Sequence, residues 1–215
     1  MIGLPDIPLT ITPDLVLREL WADFKIPATS AKKRWGKKIT ELIQKSQEWI
    51  SPSGVYEIFD CLVQEDQLIL DEGKGIFTSS SLVKTIGESS RVGLFIATIG
   101  DELEQNMKSC SRSDAIILEA VGSAAAEECA EYMHHRIIDP LIKEDEWQKT
   151  VRLSPGWGLH KRKQNWDLSG QKIIFNLLNP GKKSVDVILT SDYLMVPRKS
   201  VSAIVGIKRS RGIKE

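Results

Sequence analysis

The run DAIILEAVGSAAAEECAEYMHHRII, from Asp114 to Ile138, constrains the fold more than any other segment. Leu118, Val121, Ala125, Cys129 and Tyr132 or Met133 recur at helical spacing and mark one face of a long helix. Asp139 and Pro140 end it, because proline cannot continue the backbone ladder. Within it, VGSAAA carries so little side-chain bulk that a neighbouring element can approach unusually closely. The most continuous apolar segment is VGLFIATI, Val92 to Ile99, which is typical of a central strand and about half the length a membrane span requires.

The remaining elements arrange themselves around these two. Thr12, Pro13 and Asp14 form a helix start: a capping hydroxyl, a proline at the first position and an acid near the positive end of the dipole. Trp35, Ile39, Leu42, Ser46 and Trp49 then define an amphipathic helix whose tryptophans serve as core anchors. From Val55 the period changes, and VYEIFDCLV with QLILD predicts a hairpin turning near Glu65 and Asp66. Short helices follow at Ser81 to Ile86 and over DELEQNMK, then a helix at Ser169 to Leu178, a strand VDVILT and a final strand SVSAIVGI. Repeats, low-complexity segments and Gly/Ser linkers are absent from the sequence. The expectation is one α+β domain over residues 1–215, with a mixed or antiparallel sheet flanked by helices. Its first 52 residues are helical, and the motifs lie within 113–207.

Charge and cysteine usage exclude several classes. Lys plus Arg and Asp plus Glu both number 29, so the formal charge is zero, whereas dedicated duplex-DNA binders are basic. Cys61, Cys110 and Cys129 are odd in number and far apart, which fits reduced, largely buried thiols rather than a disulfide framework or a CxxC metal site. MIGLPDIPLTI lacks a basic region and a long apolar stretch, so it does not read as a signal peptide, and the expected location is cytoplasmic. No G-x-G-x-x-G follows a predicted strand, and neither GxxxxGK[ST] nor GxSxG occurs. Asp186 and Asp192 make no convincing carboxylate pair. The sequence advertises no catalytic machinery of its own.

Three stretches carry candidate chemistry. In AEECAEYMHH, Glu131 and His134 have the Glu-x-x-His spacing used by di-iron bundles, but the second such motif is missing and a solvated polar face is the default. Glu127, one turn back, offers a carboxylate able to accept hydrogen bonds from an ammonium group. In RLSPGWG, Pro155 and Gly156 force a turn, Arg152 provides a planar fork suited to a carboxylate, and Trp157 a π face. The same pattern fits a structural corner. The following HKRK, with Trp157 and Trp166, also fits a single-stranded nucleic-acid binder whose tryptophans stack bases, although the basic cluster is short. In LTSDYLMVPRKSVSAIVGI, Met195 and Pro197 read as packing, and Arg198 and Lys199 occupy a turn.

AEECAEYMHHR, RLSPGWG and LTSDYLMVPRKSVSAIVGI, in that order and at these separations, resemble the reactivation (activation) domain of cobalamin-dependent methionine synthase over about Ser113 to Ile207. The resemblance implies a domain that binds S-adenosylmethionine and docks over cobalamin carried by the synthase. There it supports reductive methylation of the cob(II) state with an electron donor such as flavodoxin or ferredoxin. Here it implies a freestanding accessory subunit for a synthase that lacks its own activation domain. Neither membrane nor nucleic acid is an expected partner. The family's Arg-x-x-x-Gly-Tyr motif falls on Arg152, Gly156 and Trp157, with tryptophan in place of tyrosine, and Gly158 in place of the following proline. By that resemblance Arg152 meets the ligand's carboxylate, Glu127 its ammonium, the backbone at Leu153 and Ser154 supplies hydrogen bonds, and Trp157 lies against the sulfonium or the corrin. Fused relatives continue past the SVS strand to a tyrosine of the ligand site, so a site completed by the partner protein is expected here.

Overall fold

A computed structural model of the chain describes residues 1–137, 147–156, 166–183 and 185–209. The long helix, α5 (Arg112–Arg136), starts two residues earlier than the apolar pattern predicts because Ser111 caps it: its hydroxyl accepts from the Asp114 amide at 3.3 Å. The Lys38 ammonium and the Ser111 hydroxyl donate to the Asp114 carboxylate, holding its pKa down at about 2. The expected stop at Asp139 and Pro140 lies outside the described residues.

Two helices precede it, α1 (Pro13–Phe24) and α2 (Ala28–Ser46). The Thr12 hydroxyl caps α1 as anticipated, accepting from the Leu15 amide at 3.4 Å. On α2, Ile39, Leu42 and Ser46 are buried and Trp35 packs half-buried against the same core, as does Trp49 in the 3-10 turn Gln47–Trp49 that follows the helix. The strands are β1 (Ile2–Leu4), β2 (Ser53–Gln64), β3 (Gln67–Leu70), β4 (Gly75–Thr78), β5 (Arg91–Thr98), β6 (Trp147–Lys149), β7 (Ile188–Leu189), β8 (Met195–Val196) and β9 (Ser200–Arg209). Three shorter helices complete the set: α3 (Ser80–Ile86), α4 (Glu102–Met107) and α6 (Gly170–Leu178).

Seven strands form an antiparallel sheet in the order β4-β3-β2-β5-β9-β6, with β1 also paired to β2. The predicted hairpin is β2 and β3, closed by a turn with Glu65 at positive φ. β5 and β9 lie at the centre and are buried on both faces, which is why they read as continuous apolar runs. Phe95, Ala97, Ala203, Val205 and Ile207 face a core beneath α1, α2 and α5. Val92, Leu94, Ile96 and Ile204 face a second core with Leu82 and Ile86 of α3 and Ile174 and Leu178 of α6.

Two expectations change. The predicted strand VDVILT contracts to Ile188–Leu189, paired only with β8, because Val185 and Val187 are buried without joining a ladder. β1, β4 and β6 span three or four residues each, too short for alternation to announce them. Burial pushes the Cys129 thiol up to about 12, and burial with the Asp60 charge pushes the half-buried Cys61 thiol up to about 11, which favours the protonated form in both. Among the described residues no helix is long and apolar enough to cross a membrane.

Within VGSAAA the close approach falls at Gly122, where a Cβ would lie 2.9 Å from Leu103 Cδ2, and further along the chain glycines on the sheet make room for Met133 and Ile137. A Cβ on Gly54 of β2 would lie 2.9 Å from Met133 Sδ, and one on Gly93 of β5 would lie 2.4 Å from Ile137 Cγ2. Gly93→Ala is therefore expected to destabilise the fold by about 1–3 kcal/mol through overpacking. Combined with Ile137→Ala, it should cost less than the sum of the two single changes in urea denaturation; strict additivity would show that the two sites do not touch.

Candidate ligand-binding site

Arg152 sits on an extended segment beside β9. Leu153 exchanges both backbone hydrogen bonds with Ile204, at 3.0 and 2.8 Å, which fixes the segment's register. Side chains alternate along such a segment, so Leu153 enters the core beneath α6 while Arg152 reaches α5. There Arg152 Nη2 donates to Glu127 Oε1, and Nη1 lies 3.9 Å from Glu131 Oε2. The sequence-predicted Glu127 and Arg152 are thus brought together across 25 positions of chain.

The pair opens onto a cleft of about 700 Å³ bounded by α1, α5, α6 and the start of β9. Arg18, Glu19 and Ala22 line it from α1, Ala126 and Glu127 from α5, and Ser154, Pro155 and Met195 from the loops. Among the described residues, four buried side-chain polar atoms lack a hydrogen-bond partner. Three of them, Arg152 Nη1, Gln171 Oε1 and Ser202 Oγ, belong to residues of this cleft. Buried polar groups are normally paired, so this concentration sets the cleft apart among the described residues. Another groove, of about 540 Å³ beside Cys61, is lined by none of these residues.

The other predicted residues divide. Ser154 lines the cleft. The Leu153 amide and carbonyl are both engaged by Ile204. Gly156 does form a turn with Pro155, at φ +78°; its amide donates to the Trp166 carbonyl at 2.9 Å, and a Cβ would fall 2.9 Å from Leu168 Cδ1. Only glycine suits both the conformation and the space. Trp157, Gly158 and the HKRK run lie outside the described residues. Trp166 is not the exposed stacking platform of the nucleic-acid alternative: it is buried edge-on against Phe77, with ring centroids 5.3 Å apart.

Glu131 and His134 share a helical face, but their contacts are structural. His134 Nε2–H donates to the Thr150 carbonyl at 3.0 Å, and Glu131 Oε1 lies 3.0 Å from His135 Nε2. Among the described residues no cluster of three or more metal-ligating side chains occurs. Arg198 and Lys199 both donate to Glu119 Oε1, at 3.0 and 2.9 Å, tying the turn before β9 to α5. Sequence reasoning missed Gln171, Ser202, Arg18 and Glu19: each sits in an ordinary helix or strand pattern, and only the tertiary fold gathers them.

Fold and site together define an α+β domain with a guanidinium–carboxylate pair in the wall of a cleft. The chain belongs to the family of vitamin B12 dependent methionine synthase activation domains, whose model matches residues 76–211. It is similar in fold to the crystal structure of the MetH reactivation domain bound to AdoHcy, with a TM-score of 0.66 over 95% of this chain and 77% of that one. Identity to that structure is 18%, so the likeness concerns the fold. No curated protein matches the sequence.

The titratable groups behind Arg152 give a pH dependence. Burial, ahead of the nearby Lys149 and Arg152 charges, holds His134 below its usual value of 6.5. Burial raises the Glu131 carboxyl, but the attraction of His134, Arg152, His135 and Lys149 outweighs it and leaves it below 4.5. A histidine depressed in the fold takes up more protons when unfolded, so stability is full above pH 6.5 and declines as pH falls below it. His134→Gln should flatten the loss of denaturation midpoint between pH 7.5 and about 5; an unchanged slope would assign that loss to other groups.

Proposed function

We propose that this chain binds S-adenosylmethionine in the cleft between α1, α5 and α6 and presents it to the cobalamin of a methionine synthase for reductive methylation. The Arg152–Glu127 pair, set in a cleft with Arg152 Nη1 buried and without a hydrogen bond among the described residues, carries the reading. The amino-acid end of the ligand is a zwitterion and complements such a pair. Its carboxylate meets Nη1 of Arg152, and its ammonium donates to the Glu127 carboxylate.

The cleft volume falls within the range of small-molecule sites, about 300–1,000 Å³. The family membership and the AdoHcy named for the structural relative support the ligand class. Ser154 supplies polar contact at the cleft wall, Gly156 shapes the turn that carries it, and Trp157 is assigned to the sulfonium or the corrin. The cobalamin, carried by a synthase lacking its own activation domain, takes up one electron from a donor such as flavodoxin or ferredoxin and the methyl group of the sulfonium. Loss of that methyl leaves a neutral thioether, so no acid or base is required of the cleft. This chain contributes orientation and charge complementarity.

The test follows the visible spectrum of a methionine synthase without its activation domain, in the cob(II) state, with reductant and S-adenosylmethionine. Conversion to the methylated cofactor is expected only when this protein is added. Arg152→Ala should raise the S-adenosylmethionine concentration for half-maximal conversion by more than about tenfold, as loss of a charged hydrogen bond predicts. Equal conversion with and without the protein would refute the proposal.

A further inference from the structure

Gln171 and Ser202 come from different elements, α6 and β9, yet share three properties. They are 5% and 1% exposed. Each holds a polar atom, Oε1 or Oγ, with no hydrogen-bond partner among the described residues. Both line the cleft that contains Arg152 and Glu127.

Their position separates them from the charged pair. Ser202 shares the β9 face of Ile204, which packs in the core beneath α6, whereas Arg152 reaches toward α5 from the opposite face. The cleft thus has a charged end and an uncharged polar end. An amide oxygen accepts and a hydroxyl both donates and accepts, which suits hydroxyl and amino groups of a neutral ligand moiety. Leaving two such atoms unpaired in the interior costs stability, and a ligand that pairs them recovers it.

We propose that Gln171 and Ser202 form the subsite for the nucleoside end of the ligand, pairing with its ribose hydroxyls or the amino group of its base. The assignment rests on the S-adenosyl reading of the cleft. It also sets specificity: a site with unpaired buried polar atoms discriminates strongly against ligands that cannot satisfy them.

The experiment titrates S-adenosylhomocysteine into the full chain by calorimetry, alongside Gln171→Met and Ser202→Ala, with a melting temperature recorded for each. Near-isosteric removal of an unpartnered polar atom should leave the melting temperature equal or higher. Affinity should nevertheless fall by about tenfold in each variant, the effect of one lost hydrogen bond. Competition with 5′-methylthioadenosine, which lacks the amino-acid end, should weaken in Gln171→Met and not in Arg152→Ala. Affinities within twofold of wild type, or losses that merely follow a lowered melting temperature, would overturn the subsite. So would the reverse order with methylthioadenosine. Wild-type protein that binds no S-adenosylhomocysteine would instead overturn the S-adenosyl reading, and the subsite with it.

Discussion

The seating of α5 against the sheet governs the rest of the molecule. The helix is buried on nearly every side from Ile117 to Met133, and where it crosses β2 and β5 the strands present Gly54 and Gly93 in place of side chains. On its other flank a Cβ at Gly122 would sit 2.9 Å from Leu103 Cδ2. Close packing of this kind transmits small displacements rather than absorbing them. Glu127 rides on this helix, and Arg152 rides on a segment pinned to β9 by Leu153. Their meeting is a direct reading of how far α5 lies from the sheet.

The pair itself adds little to stability. Glu127 is 45% exposed, and ion pairs of that exposure contribute up to about 1 kcal/mol. What marks it is its environment: one guanidinium nitrogen committed to Glu127, the other buried without a hydrogen bond. With Glu131, His134 and Lys149 behind it, Arg152 sits in a network that orients the fork toward the cleft. Orientation rather than chemistry is also what a methyl donor asks of its protein, since sulfonium and acceptor supply the reactivity.

Much of this was legible in the sequence, and the unreadable part has physical causes. Thr12-Pro13-Asp14, the apolar period of α5 and the run VGLFIATI each carry a local signal, and the corresponding elements stand where expected. β1, β4 and β6 carry none, because strands of three or four residues are held by neighbours rather than by their own pattern. Glu127 and Arg152 were identifiable as an acid and a fork of complementary charge within recognisable motifs. Gln171 and Ser202 were not, since a glutamine in an amphipathic helix and a serine in a strand look the same whether or not their polar atoms find partners. The pairing of the Leu153 backbone with Ile204 and the packing of the Trp166 ring on Phe77 were equally hidden, because both are tertiary events.

The central claim is that the charged end of the cleft holds the amino-acid end of an S-adenosyl ligand. A crystal structure of the protein grown with S-adenosylhomocysteine tests it most directly. The account predicts the ligand carboxylate within hydrogen-bond distance of Arg152 Nη1 and its ammonium against Glu127. A ligand bound in the groove beside Cys61, or one in the cleft whose amino-acid end points away from Arg152, would contradict it.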